Sequence, residues 1–314
     1  LNGLLAAEHR QVRLSEYNHI QEPRVSNLTI KGELYAKSKA LSRDFGVTIN
    51  TLLQYVWHKV LYLHGHSRHT IVGTTVSGRD LPIDEIEDSV GLYINTLPLI
   101  VDHEQQPERK VIEAIQEIQK DINEMNARSG IELAKLHRDG ERLFDVLFVY
   151  ENYPTPTNKD YDDRLNINFI EGVEKLDYPL GLIAYESNNE IICRFSYAGE
   201  LFVSEDMERL LATAKTLLEQ VVVNPNIREC DLRYLTQNQY SEIVFAWNAT
   251  KKDYVQDKTI QQLFEEQVAR CPSTVAIIYE DISLTYQELN ERSNMLAHYL
   301  IAQHNITPDT LVAL

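Results

Sequence analysis

Four of the ten histidines, His58, His64, His66 and His69, fall within the stretch HKVLYLHGHSRH, and clustered imidazoles are common zinc ligands. A metal centre needs its ligands oriented by further partners, whereas histidines at a helix end suit the helix dipole without any metal. A helix terminus is therefore the expected role of this stretch. A second group, His137-Arg138-Asp139-Gly140, begins like a kinase catalytic loop but carries Phe144 where that loop requires asparagine, and no Asp-Phe-Gly follows. As a His-His-x-x-x-Asp-Gly acyltransferase motif it lacks the first histidine and the spacing. A surface turn is expected there.

GTTVSG (73–78) has the flavour of a Gly/Thr/Ser loop that wraps phosphates, yet Val76 and Arg79-Asp80 stand where a further glycine and a lysine would be needed. A strand leading into a turn is the simpler account. In VGLYINTLPLIV (90–101) only Asn95 and Thr96 are strongly polar. Burying the Asn95 amide without a partner would cost roughly 1–3 kcal/mol, so it is either paired in a network or faces a polar channel. A similar polar break, Tyr150, Glu151 and Asn152, ends the apolar run of FDVLFVYENYP (144–154), where strand termination is the plain account.

The elements that must position these residues follow from periodicity and punctuation. Leu34 to Phe45 and Asn50 to Leu63 have helical spacing, with Gly46 between them and Thr48 or Asn50 as a cap. The first clear strand is then Thr70 to Val76, followed by a loop and by the strand 90–101. Pro107 opens an amphipathic helix through Asn126, with Val111, Ile112, Ile115, Ile118 and Ile122 on one stripe. Further strands are expected at Phe144 to Tyr150, Leu165 to Ile170, Leu180 to Tyr185 and Ile191 to Tyr197, the last two joined by the turn SNNE. Ser204 is the expected cap of a helix running to Val223. These elements predict an α/β lobe over residues 1–223, a mixed sheet with helices on one face.

Residues 224–258 read as a linker, with a possible helix at Gln237 to Trp247. Residues 259–314 start a second unit: an N-capped helix from Thr259 to Pro272, a hairpin turning at Glu280-Asp281, and a helix from Gln287 to Gln303. The final DTLVAL reads as a strand without a partner, so a cut is expected at the C-terminus.

Composition narrows the function classes. Asp and Glu number 47 against 30 Lys and Arg, a net charge of −17, and no basic block could neutralise a row of phosphates, so nucleic acid is excluded as a partner. Cys193, Cys230 and Cys271 lie far apart in odd number, which argues against a disulfide framework and for a reducing, cytoplasmic setting. No apolar run approaches the ~20 residues of a membrane span, and LNGLLAAEHR lacks the basic start of a signal peptide.

Taken together, VGTTVSGRD (72–80), VGLYINTLPLIV and FDVLFVYENYP resemble, in order and separation, signatures of the C-terminal half of a condensation domain of nonribosomal peptide synthetases. Residues 259–300, with Leu284-Thr285-Tyr286-Gln287-Glu288-Leu289, resemble the start of an adenylation domain. The resemblance implies a chloramphenicol-acetyltransferase-like lobe, a linker, and a partial N-terminal subdomain of an adenylate-forming enzyme. It implies a tunnel between two lobes, entered from opposite ends by the phosphopantetheine arms of peptidyl carrier protein domains, in which an acceptor amine attacks a donor thioester. By resemblance Arg79 and Asp80 belong to the tunnel floor, and Tyr93, Asn95 and Asn152 lie close to the cleft, so that an amide facing a polar tunnel would explain Asn95. The family's His-His-x-x-x-Asp-Gly belongs to the other lobe and is missing here, as are the phosphate loop and catalytic lysine through which a parent enzyme uses ATP and magnesium. The expectation is a fragment that binds no cofactor, has neither activity alone, and needs the N-terminal condensation lobe and the rest of the adenylation domain as partners. A non-catalytic module docking carrier proteins or another subunit is the competing class. A stand-alone acyltransferase fails because its catalytic histidine would have to be His137 or one of the 58–69 cluster.

Overall fold

The computed structural model describes residues 5, 12–17, 19–65, 67–80, 84–86, 89–103, 106, 108–133, 142–151, 177–253 and 257–312. It divides into two units, Leu1–Ala246 and Trp247–Leu314.

In the first unit the element order is β1 (Pro23–Ile30), α1 (Gly32–Phe45), α2 (Ile49–Gly65), β2 (His69–Ser77), β3 (Ile94–Asp102), α3 (Val111–Ala127), β4 (Val146–Glu151), β5 (Leu180–Ser187), β6 (Glu190–Ala198), α4 (Ser204–Val223) and the short α5 (Gln237–Ser241). The strands form one mixed six-stranded sheet in the order β1-β6-β5-β4-β2-β3. Strands β2, β4 and β5 run parallel, while β3, β6 and β1 pair antiparallel with their neighbours. The β5–β6 turn places Asn188 and Asn189 at φ 51° and 61°, the left-handed geometry that matches the twist of a two-residue hairpin.

α2 is the hub. Every residue from Ile49 to Leu61 except Asn50 is buried, including Gln54 and His58, which makes it a helix apolar nearly all round and enclosed by neighbours. Thr48 caps it through the Thr51 amide at 3.1 Å. Its Trp57 meets Phe195 of β6 edge to face, centroids 4.8 Å apart, so the helices share the sheet face that carries Ile191, Cys193, Phe195 and Tyr197. The predicted stripe Val111, Ile112, Ile115, Ile118 and Ile122 of α3 is buried in the same core, each side chain contributing about 1.5–3 kcal/mol. Gly46 ends α1 at φ 66°, as its spacing predicts.

Several boundaries differ from expectation. A strand, β1, precedes both helices; it is an edge strand with only Ile30 buried, so it lacks the apolar alternation that marks a strand. The strand expected at 90–101 starts at Ile94, and Val90 and Leu92 are exposed. Ser204 is the first residue of α4, which Val203 caps without a side-chain bond; the Ser204 hydroxyl instead accepts from Arg24 and Tyr197, both at 3.2 Å. The Leu165 to Ile170 strand, Pro107 and His137 to Gly140 lie outside the described residues.

The expected linker is not one in its first half. The α3 amides of Val111 and Ile112 donate to the carbonyls of Ile227 and Pro225, both at 2.9 Å, satisfying two of the donors a helix start leaves open. Glu229 accepts from Lys59 Nζ at 2.8 Å and from the Tyr55 hydroxyl at 3.1 Å, with Arg109 Nε at 3.7 Å. Residues 224–246 therefore belong to the first unit, held by backbone carbonyls, a shielded carboxylate and the scattered apolar side chains Ile227, Leu232 and Tyr234.

The second unit contains α6 (Ile260–Arg270), the hairpin β7 (Val275–Tyr279) and β8 (Ile282–Thr285), and α7 (Tyr286–His304). Thr259 and Thr285 each form a capping box, with Gln262 and Glu288 respectively. Glu280 turns the hairpin at φ 50°. None of these helices has a buried residue, and Ile278, Tyr279 and Met295 are exposed. Thr310 to Val312, expected as a strand, belong to none.

Candidate functional site

At the carboxyl end of β2 the chain enters the tight turn Gly78–Asp80, so GTTVSG is indeed a strand leading into a turn. The Gly78 amide donates to the Tyr93 carbonyl at 2.9 Å, and a Cβ on Gly78 would lie 2.6 Å from that oxygen, which only glycine avoids. Arg79 then draws Ile86, Ser89 and Tyr93 together. Its guanidinium donates to the carbonyls of Ile86 at 2.8 Å and Ser89 at 2.9 Å, and lies 4.7 Å from the centroid of the Tyr93 ring. The Tyr93 hydroxyl meets the Ser89 hydroxyl at 2.5 Å. The result is a cleft of about 630 Å³ bounded by Thr75, Ser77, Arg79, Tyr93, Tyr150 and Glu151.

A second cleft, about 590 Å³, opens where α1, α2 and α3 meet the ends of β4 and β5. Its wall contains Glu186, whose carboxylate accepts from the Tyr150 hydroxyl at 2.8 Å, the Tyr35 hydroxyl at 3.0 Å, and Lys39 Nζ at 3.0 and 3.2 Å. Burial alone pushes the Glu186 carboxyl up, but the hydrogen bonds from Lys39, Tyr150 and Tyr35 reverse this and hold it below its ordinary value. Burial, with the bond to Glu186, raises the Tyr150 phenol. Near neutrality the pair is thus a carboxylate and an intact phenol that donates to it. Tyr150 borders both clefts, and both lie at the carboxyl ends of parallel strands, the end at which α/β sheets bind ligands.

Of the site residues expected from sequence, Arg79 and Tyr93 come together in the first cleft, and Asp80 closes the turn beside it. Asn95 does not join them. Its amide nitrogen donates to the carbonyls of Ser129 at 2.8 Å and Ile131 at 2.6 Å, while its oxygen accepts from the Thr96 amide at 2.8 Å. Asn95 is thus paired, and its amide fastens β3 to the turn after α3. Asn152 lies outside the described residues.

The histidine stretch is also not simply a helix terminus. His58 is fully buried, and its Nδ1 lies 2.6 Å from the Thr70 hydroxyl, which meets His103 Nε2 at 2.8 Å. Burial, and then each ring's charged neighbourhood (His103 for His58, Lys59 for His103), pushes both imidazoles down to about 3. They are neutral core residues. Among the described residues no group of His, Cys, Asp or Glu could hold a metal ion. Sequence reasoning missed Glu186 and gave Tyr150 no role beyond ending its strand, although a carboxylate closing the apolar run LGLIAYES is the same kind of signal as the break after Val149.

Comparison with known proteins adds the following. Residues 5–244 match the family model described as a condensation domain, and residues 264–314 match that of an AMP-binding enzyme. The N-(5-amino-5-carboxypentanoyl)-L-cysteinyl-D-valine synthase of Amycolatopsis lactamdurans is 42% identical over 99% of this chain. A linear gramicidin synthase of Brevibacillus parabrevis is 33% identical over 92%. The chain spans only 9% and 4% of these relatives' lengths. Among solved structures, the four-domain nonribosomal peptide synthetase holo-AB3403, bound to AMP and glycine, superposes with a TM-score of 0.68 at 17% identity, covering 91% of this chain and 23% of that one. The X-domain from teicoplanin biosynthesis gives 0.56 at 20% identity, covering 71% and 52%.

Proposed function

The chain belongs to the condensation-domain family and continues into the start of an AMP-binding domain, and from this premise we propose that its first unit walls the tunnel in which a complete synthetase module joins two carrier-bound acyl groups. The chain is a segment of such a module. In this reading the acceptor amine and the donor thioester arrive on phosphopantetheine arms of peptidyl carrier protein domains, and the amine attacks the thioester carbonyl with release of the donor thiol. The observation that carries the reading is the cleft over the carboxyl ends of β2 and β4, built by Arg79, Tyr93 and the glycine turn.

What these residues contribute is position. Arg79 donates to the carbonyls of Ile86 and Ser89, which fixes these two residues beside Tyr93 at the cleft. No base is assigned to this unit; the proton from the attacking amine would pass to a histidine supplied by the other lobe. ATP and magnesium belong in this reading to the complete adenylation domain whose start residues 264–314 match. No helix among the described residues is long and apolar enough to cross a membrane.

The test is product formation in a complete module containing residues 1–314, with both carriers loaded. Arg79→Ala should slow amide formation about tenfold or more, because a mispositioned cleft loses orientation rather than binding alone. Wild-type rates from a folded Arg79→Ala module would overturn the role given to the clamp.

A further inference from the structure

We propose that Tyr150 is the amine-binding residue of this passage, its phenolic oxygen accepting a hydrogen bond from an N–H of the incoming acceptor. The inference rests on the amide-forming reading above and names the group that meets its nucleophile. Three observations carry it.

The first is place. Tyr150 borders both clefts, and its hydroxyl, bonded to Glu186, sits in the wall of the one between α1, α2 and α3, so a chain reaching that cleft meets the phenolic oxygen. The second is hydrogen-bond polarity. A phenol has one proton to donate and lone pairs with which to accept. The Tyr150 proton is committed to Glu186 Oε1 at 2.8 Å, so what remains for a ligand is acceptor capacity alone. An amine that is to act as a nucleophile must keep its own lone pair free and can offer only N–H bonds. A pure acceptor orients it without engaging that lone pair.

The third is electrostatic. Glu186 is held ionised by Lys39, Tyr35 and Tyr150 itself, and the bond from phenol to carboxylate enriches the phenolic oxygen as an acceptor. Burial and that same bond keep the phenol protonated, so it takes no proton from the amine. Tyr150 is thus a binding group and not a base. Glu186 does not touch the amine in this arrangement; it is a positioning residue that acts through Tyr150.

The experiment uses the complete module with a loaded donor carrier and a titrated acceptor. Tyr150→Phe keeps the ring and deletes the oxygen; with one hydrogen bond at stake, KM for the acceptor should rise about three- to tenfold while hydrolysis of the donor thioester is unchanged. Glu186→Leu removes the acceptor of the phenol proton, which can then turn toward the cleft, and should raise the acceptor KM in the same direction. The double variant should be no worse than Tyr150→Phe alone, because Glu186 acts through that oxygen. An unchanged acceptor KM in Tyr150→Phe, additive effects in the double variant, or an equal fall in donor hydrolysis together with a lowered melting temperature would each overturn the inference. A wild-type module that forms no amide would instead overturn the amide-forming reading, and this inference with it.

Discussion

Replacing Glu229 by alanine should destabilise the first unit far more than a surface charge would. The Lys59, Arg109 and Glu229 side chains are only 8%, 14% and 13% exposed, and Glu229 is the anion that Lys59 reaches at 2.8 Å. Deleting it leaves the Lys59 ammonium shielded from water and removes the acceptor of the Tyr55 hydroxyl. Breaking a buried pair from one side costs about 3–5 kcal/mol, which for a unit of this size lowers the melting temperature by roughly 10 °C. Removing both charges with Lys59→Met and Glu229→Leu should cost less than the single change, about 1–3 kcal/mol, since the desolvation penalty disappears together with the attraction and only the Tyr55 hydroxyl is left without its acceptor. Arg109 keeps its second partner, Glu117. The assay is urea unfolding followed by tryptophan fluorescence. The chain has two tryptophans, Trp57 buried in the first unit and Trp247 exposed, so a red shift on unfolding reports Trp57. A loss below about 1 kcal/mol for Glu229→Ala, or a double variant as unstable as the single, would refute the argument that a shielded charge anchors the segment after α4.

Two further outcomes are expected. In Gly73→Ala the new Cβ would overlap the edge of the Phe144 ring, itself buried and stacked on Tyr178 with centroids 5.3 Å apart, so a loss of about 1–3 kcal/mol should appear in the same assay and be relieved by Phe144→Leu; unchanged stability would show that the ring has room to move. The second concerns pH. His58 and His103 titrate near 3 when folded and near 6.5 when unfolded, so protons bind the unfolded chain first. Stability from this pair is complete above about pH 6.5 and is lost as pH falls toward 3, by about 1.4 kcal/mol per pH unit for each ring. His103 faces Lys59, Asp102, Arg109 and His69, all of which except Asp102 oppose its charging. Denaturation midpoints at about pH 7 and about pH 5 should therefore differ, with a slope roughly halved in His58→Gln; an identical slope in both proteins would exclude the pair as its source.

What was legible in the sequence depended on what each element buries. α2 and α3 announce themselves because their contacts are apolar and periodic, and the β5–β6 hairpin because two asparagines in succession favour left-handed backbone. The clamp residues Arg79 and Tyr93 were legible through resemblance rather than periodicity. Other features left no such trace. Asn95 finds its partners in backbone carbonyls 34 and 36 residues away, and carbonyls are the same in every sequence. The segment after α4 is held by carbonyl caps on α3, one carboxylate and three apolar side chains, Ile227, Leu232 and Tyr234, too far apart to make a helical or strand period, so its composition reads as a linker. Glu186 and Tyr150 meet only because β4 and β5 lie side by side in parallel, a pairing no local pattern encodes.

The sheet order has a consequence for how the chain is made. β1 waits for β6: Ile30 pairs with Ile191, so among the described residues the first strand leaves the ribosome about 160 residues before its neighbour in the sheet. At roughly 5–20 residues per second that interval is on the order of ten to thirty seconds. During it β1 is an unpaired strand in a crowded cell, exposed to every other nascent edge. Its composition suits the wait. Pro23 cannot donate to a ladder, Arg24 and Asn27 keep it hydrated, and Ile30 alone is a buried side chain in the finished fold. The same polarity that hid β1 from a reading of the sequence is what lets it stay single until synthesis delivers its partner.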